Sequence, residues 1–291
     1  MIYTLKNDII TAKISDTGAE IVSVTKNDGG YEYIWQGDAR YWAGHAPYLF
    51  PICGRLFEGK YTYKGNTYEM KLHGFARRLV FACERISDEC LSFTLTSNDD
   101  TRAVYPFDFK LTITYSLVGG TIETDVTIEN TGEEVLPAAL GTHTGFNIPL
   151  EGREISRDLF LEFQEDCYPN KLLLSDGGLN TGRKISLPLA DRRILELSER
   201  TYEIENSLFM ENVSDSVTLR SKSSDRAVTM RYSGMPYLGL WKAEEAPFLC
   251  IEPWFGLPSF FDTTDDMATK NDMYRIPKNE SQKIHMEIIF N

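Results

Sequence analysis

The chain has 291 residues, of which 42% are hydrophobic, 12% aromatic and 25% charged, which is ample material for a large core and excludes a disordered chain. A net charge of −13 excludes a partner gripped through its phosphate backbone by clustered Lys and Arg, so no nucleic acid is expected. No run approaches ~18 uninterrupted apolar residues, and Met1-Ile-Tyr-Thr-Leu-Lys lacks the basic-then-apolar pattern of a leader, so the expectation is a cytoplasmic protein with no membrane partner.

Period-two alternation recurs along the chain. It marks strands at Ile9–Ile14, Thr67–Leu72 and Leu91–Thr96. The segments Phe107–Leu117 and Thr121–Glu129, joined by Val-Gly-Gly, read as a β-hairpin. Further strands are expected at Ser216–Ser221, Ala227–Tyr232 and Lys283–Phe290. Turn clusters fall between them at Asn27-Asp-Gly-Gly, Asn98-Asp-Asp, Asn130-Thr-Gly, Ser175-Asp-Gly-Gly and Ser223-Ser-Asp. No 12-residue window carries a 3.6-residue period, so helices should be few and short. The class is all-β. Strand signals run from end to end without a linker, which predicts one domain over 1–291, a large antiparallel sandwich.

Chemistry concentrates in a few tracts. The apolar run Ala46-Pro-Tyr-Leu-Phe-Pro-Ile-Cys-Gly ends on Arg55, a donor fork suited to hydroxyl, carboxylate or phosphate oxygens. His73 lies at a strand end in Leu-His-Gly-Phe-Ala-Arg, beside Arg77 and Arg78. His143 stands in Gly-Thr-His-Thr-Gly-Phe-Asn, a strand end opening into a glycine-bounded turn, where Thr142 and Thr144 offer hydroxyls to fix its tautomer. For each histidine the plain alternative is a buried ring hydrogen-bonded for structure.

Glu252, in Phe248-Leu-Cys-Ile-Glu-Pro-Trp-Phe-Gly, is the most telling single residue, because a carboxylate in an apolar strand must be either paired or held for function with a shifted pKa. Arg55 is the natural candidate for pairing. Trp241 and Trp254 have the aromatic faces to stack on a sugar ring, although core packing is the commoner fate of tryptophan. His45 and His285 read as structural. The five cysteines form no C-x-x-C pair and are odd in number, so buried thiols in a reducing compartment are expected. Two histidines and one sequestered glutamate make up an acid/base kit that works near pH 7 without a cofactor.

Taken in order, Phe50-Pro-Ile-Cys-Gly-Arg-Leu, His73-Gly-Phe-Ala-Arg, Gly141-Thr-His-Thr-Gly-Phe-Asn and Ile251-Glu-Pro-Trp-Phe-Gly resemble the aldose 1-epimerase (galactose mutarotase) family, especially its LacX-like and hexose-6-phosphate-epimerase-like branch. The resemblance spans essentially the whole chain. It implies a β-supersandwich with a sugar cleft, Glu252 as general base, His143 as general acid, and His73 and Arg55 holding the sugar. Asn206 falls where many members carry an aspartate that binds sugar hydroxyls, and an amide both donates and accepts there. Arg77 and Arg78 leave room for a sugar phosphate. The implied partner is a small sugar or sugar phosphate, and the expected assembly is a monomer or weak homodimer.

Three other readings compete. A non-catalytic carbohydrate-binding sandwich would need the tryptophans but not the proton-transfer set. A His73, His143 and Glu252 metal site lacks the short-range ligand spacing of H-E-x-x-H, so no metal is expected. A glycosidase needs two opposed carboxylates, and Asp262, Asp265 and Asp266 read as a solvated loop.

Overall fold

A computed structural model describes residues 1–150 and 158–291. Two large antiparallel sheets dominate it. The nine-stranded sheet runs in the order Ile194–Glu196, Leu159–Phe163, Ser216–Ser221, Val228–Arg231, Ser281–Phe290, Thr121–Asn130, Phe109–Val118, Cys90–Thr96 and Ala82–Arg85. Its central strands alternate strictly. In Phe109–Val118 every second residue from Phe109 to Leu117 is buried and its neighbours are half-buried, so one face is core and the other meets solvent.

The second sheet runs Asn180–Ser186, Asn170–Leu174, Leu208–Glu211, Tyr237–Trp241, Phe248–Phe255, Leu140–Thr142 and Tyr48–Leu49, with Thr144–Asn147 also pairing Phe248–Phe255. Here alternation fails for a physical reason. Phe248 through Trp254 are all buried because both faces of the strand are covered, which explains the nearly continuous apolar run around Glu252. The two sheets meet through aromatic side chains, including Tyr48 against Tyr115 at a centroid distance of 6.5 Å.

The predicted hairpin closes through Gly119 and Gly120, with Val118 opposite Thr121 and Gly119 at φ 59°, a conformation that favours glycine. Elements differ from expectation in two places. The strand read over Thr67–Leu72 covers Asn66–Glu69 instead: Met70 makes the last bond in register, to the Gly59 carbonyl, where the partner strand gives way to the 3-10 turn Phe57–Gly59. Asn98-Asp-Asp is not a free turn but the start of the helix Asp99–Val104: the Asn98 side chain accepts from the Thr101 N–H and Thr101 returns the bond, a capping box built from the same residues that favour turns.

Among the described residues the only other α-helix is Thr201–Glu205, and no helix is long and apolar enough to cross a membrane. All five cysteines are free thiols, with Cys53, Cys167 and Cys250 buried and Cys83 and Cys90 half-buried.

Candidate active site

The site is organised by one strand register. Glu252 sits in the middle of Phe248–Phe255, paired with Gly239 on one side. On the other side Gly141 opposes Trp254 and Thr144 opposes Ile251, a single register that sets His143 opposite Glu252. The ladder breaks between those pairs because Pro253 has no N–H, and the Thr142 carbonyl opposite it accepts the Trp254 indole N–H at 3.3 Å instead, while the His143 N–H donates to the Pro47 carbonyl on the other side. The expected glycine-bounded turn at His143 is therefore an interruption between two strands on one partner. Directly opposed side chains share a face of the sheet, and His143 Nε2 comes to 3.3 Å from Glu252 Oε1. The partner of Glu252 is this imidazole, not Arg55.

Both groups are nearly sealed from water, Glu252 at 2% and His143 at 8% exposure. Burial disfavours each charged form: it pushes the Glu252 carboxyl well above the usual range and pushes the His143 imidazolium down to about 3. A pair this close titrates as a unit holding one proton between its two partners. The His143 ring lies between Trp42, at 4.8 Å and 33°, and Trp241, at 5.5 Å and 71°. The threonine hydroxyls do not set its tautomer as expected, since Thr142 Oγ1 and His143 Nδ1 are both buried without a hydrogen-bond partner on another residue.

His73 is fixed by the backbone of Gly54. Its N–H donates to the Gly54 carbonyl at 2.9 Å and its Nδ1 accepts the Gly54 N–H at 3.0 Å. With Nδ1 occupied as an acceptor, the neutral ring carries its proton on Nε2 and is a hydrogen-bond donor. Burial, then the charges of His143 and the nearby arginines, hold its pKa well below the usual value. The flanking glycine is required: Gly74 has φ +69°, and a Cβ there would lie 2.2 Å from the Phe50 carbonyl oxygen.

Arg55, His73, Arg77, His143, Asn206, Trp241 and Glu252 all line one cleft of about 900 Å³. Among the described residues neither Arg55 nor Arg77 forms an ion pair, and Arg77 Nε is buried without a hydrogen-bond partner. Asn206 caps the end of Thr201–Glu205 and donates to the Tyr202 carbonyl at 2.8 Å, which leaves its own amide oxygen as an acceptor, much as an aspartate would offer. Arg78 instead donates to the Gly74 carbonyl and is not part of the cleft wall. Trp254, read as a stacking face, also borders the cleft, but it is 2% exposed and packs on Phe209 at 4.4 Å, so most of its ring is core.

Two features escaped the sequence reading. Trp42 lines the cleft and stacks on His143, and its only local signal was an aromatic pair ahead of glycine in Tyr41-Trp-Ala-Gly44. Asp265 is not solvated: its side chain is 11% exposed and lies 3.1 Å from the Lys270 ammonium, itself 7% exposed. Asp265 also accepts the Ser259 hydroxyl, and the Ser259 N–H donates to the Arg55 carbonyl, so this pair braces the loop beside Arg55. Asp265→Ala leaves the Lys270 charge buried and unpaired, and is expected to destabilise the fold by about 3–5 kcal/mol in urea unfolding. An unchanged unfolding midpoint would mean the pair is solvated in solution.

Comparison with known proteins bears on this geometry. The family model for aldose 1-epimerase matches residues 1–264. The chromosomal protein LacX of Lactococcus lactis subsp. lactis is 30% identical, with 100% of both chains covered. Among solved structures, a galactose mutarotase related enzyme from Lactobacillus acidophilus is 31% identical and superposes with a TM-score of 0.93, covering 100% of this chain and 97% of that one. A galactose mutarotase-like protein from Lactobacillus casei ATCC 334, 28% identical, gives 0.91 with both chains fully covered.

Proposed function

The chain belongs to the aldose 1-epimerase family, and on that premise we propose that it interconverts the α and β anomers of a hexose or hexose phosphate by acid/base ring opening. The observation that carries this reading is the buried Glu252–His143 pair at 3.3 Å on the wall of the cleft.

Without sugar, burial keeps the shared proton on Glu252; the reaction starts when the bound sugar's oxygens let that proton pass to His143 Nε2, which leaves Glu252 ionised. Glu252 takes the proton of the anomeric hydroxyl while His143 gives its proton to the ring oxygen. The bond from C1 to the ring oxygen breaks, its electron pair goes to that oxygen, and C1 becomes an aldehyde. At this stage Glu252 is a neutral acid and His143 a neutral imidazole, the forms that burial favours. The site therefore stabilises itself around the open-chain intermediate, with no buried ion pair left to desolvate. Rotation about C1–C2 and closure with the roles reversed deliver the other anomer. The Nε2–H of His73 and the guanidinium of Arg55 serve as donors that hold the sugar oxygens, Asn206 accepts from a hydroxyl, and Trp241 borders the apolar face of the ring.

Two cleft arginines that make no ion-pair contact, in a protein of net charge −13, favour a phosphorylated hexose over a free one. Losing a charge-assisted bond from Arg77 corresponds to about 1.5–3 kcal/mol, or about 10–150-fold. Arg77→Ala should therefore raise KM for galactose 6-phosphate or glucose 6-phosphate by about that factor and affect the free sugars less. Anomer exchange followed by NMR across these four sugars tests both halves of the reading. Equal losses on free and phosphorylated sugars would remove the phosphate preference and leave the epimerase.

A further inference from the structure

Beneath the proton-transfer pair lies a third potential ligand. Cys250 and Glu252 are two apart on one strand and share a face, and a donor atom from each of His143, Cys250 and Glu252 lies within 4.8 Å of the other two. We infer that this triad is an inhibitory binding site for a thiophilic divalent cation such as Zn²⁺ or Cd²⁺. The inference rests on the proposed catalytic roles of His143 and Glu252 for its effect on turnover, but not for the binding itself.

Geometry supports the assignment. Nitrogen and oxygen ligands at roughly 2.0–2.1 Å on a tetrahedral zinc ion stand about 3.3 Å apart, and His143 Nε2 and Glu252 Oε1 are already 3.3 Å apart. The thiol needs to close by only about 1 Å to complete three corners at zinc–sulfur bonding length. The fourth corner faces the cleft, since His143 and Glu252 line it while Cys250 is fully buried beneath them. That is the open three-ligand arrangement, with the remaining position left to water or a sugar oxygen.

Ligand chemistry selects the ion. A thiolate, an imidazole and one carboxylate suit zinc and cadmium, and a lone carboxylate oxygen is too little for magnesium or calcium. On coordination the Cys250 thiol proton and the proton shared by His143 and Glu252 pass to water, and the ion takes the lone pairs those protons held. An ion so placed removes base and acid together, so it inhibits by occupying the site and competes with the sugar.

The test titrates the wild-type protein and Cys250→Ala with Cd²⁺ and Zn²⁺, reading thiolate-to-cadmium charge-transfer absorption and anomer exchange in parallel. Cys250→Ser is the second variant if alanine fails to fold. The wild type should bind one ion with the absorption band and lose turnover as the ion fills the site. The Cys250 variant should keep its metal-free turnover, lose the band and need at least about 100-fold more ion for inhibition, since even outer-shell changes cost 10–100-fold. Cys90→Ala, a half-buried thiol on the other sheet, should behave as wild type. Equal inhibition of wild type and Cys250 variant, or no Cys250-dependent band, overturns the site. A Cys250-dependent band in a protein that exchanges no sugar keeps the site and removes the epimerase reading, whereas metal-insensitive exchange does the reverse.

Discussion

Glu252→Gln is expected to slow anomer exchange by about 10²–10⁴-fold, the usual size of one acid/base contribution. Glutamine keeps the shape and the polar atoms of glutamate but its amide cannot take the anomeric proton. The fold should survive, because the substitution removes a buried ionisable group instead of stranding one. It should also change how stability depends on pH. The unfolded carboxyl titrates near 4.5 and the folded one well above it, so the wild type carries no ionisation penalty below that value and loses stability as pH rises toward the folded pKa. Glu252→Gln lacks that loss, and relative to wild type it should look most stable under alkaline conditions. A variant that retains wild-type exchange rates would remove Glu252 as the base.

His143→Ala should also cost about 10²–10⁴-fold in turnover, by removing the acid that protonates the ring oxygen. This variant carries a structural cost as well. It opens a gap between Trp42 and Trp241, worth about 2 kcal/mol in denaturant unfolding on the scale of large-to-small core changes. Its pH dependence has the opposite sign to that of Glu252. The folded imidazole titrates at about 3 against 6.5 unfolded, so its stabilising contribution is complete above 6.5 and declines as pH falls toward 3. The stability deficit of His143→Ala should thus shrink on acidification. Combined with Glu252→Gln, the rate loss should be far less than the product of the two, because either change alone disables the shared-proton unit.

Much of the fold was legible because a sheet with one wet face writes its pleat into the sequence. Phe109–Val118, Thr121–Asn130 and Ser216–Ser221 follow the expected alternation nearly residue for residue. The strand that bears Glu252 gives no such alternation, being covered on both sides, and was marked instead by the single carboxylate inside an apolar run. Arg55, His73, His143, Trp241 and Glu252 could be singled out locally by glycines, prolines and aromatic neighbours, Arg77 by its place beside His73 and Asn206 only through the family resemblance, and the fold gathers all seven around one cleft.

What could not be read is which groups meet, since that depends on strand register between distant segments. Nothing near Glu252 says that its neighbour is His143 instead of Arg55; the register of Gly141 on Trp254 decides it. The burial of Asp265 has the same origin. Its local sequence, Asp262-Thr-Thr-Asp-Asp, reads as a wet loop, and only the return of Lys270 against it makes it a buried ion pair. Trp42 was missed because a half-buried aromatic beside glycine has many uses, and its use here depends on a histidine reached through long-range pairing.

The most direct measurement is two-dimensional NMR exchange between the α and β anomeric protons of galactose and its 6-phosphate at neutral pH, with a catalytic amount of protein and Glu252→Gln as the blank. The account predicts exchange cross-peaks that grow with wild-type protein and fall to the spontaneous level in the variant. Sugar that binds both proteins while exchange stays at the spontaneous rate would contradict it, and would make the chain a carbohydrate-binding protein built on an epimerase fold.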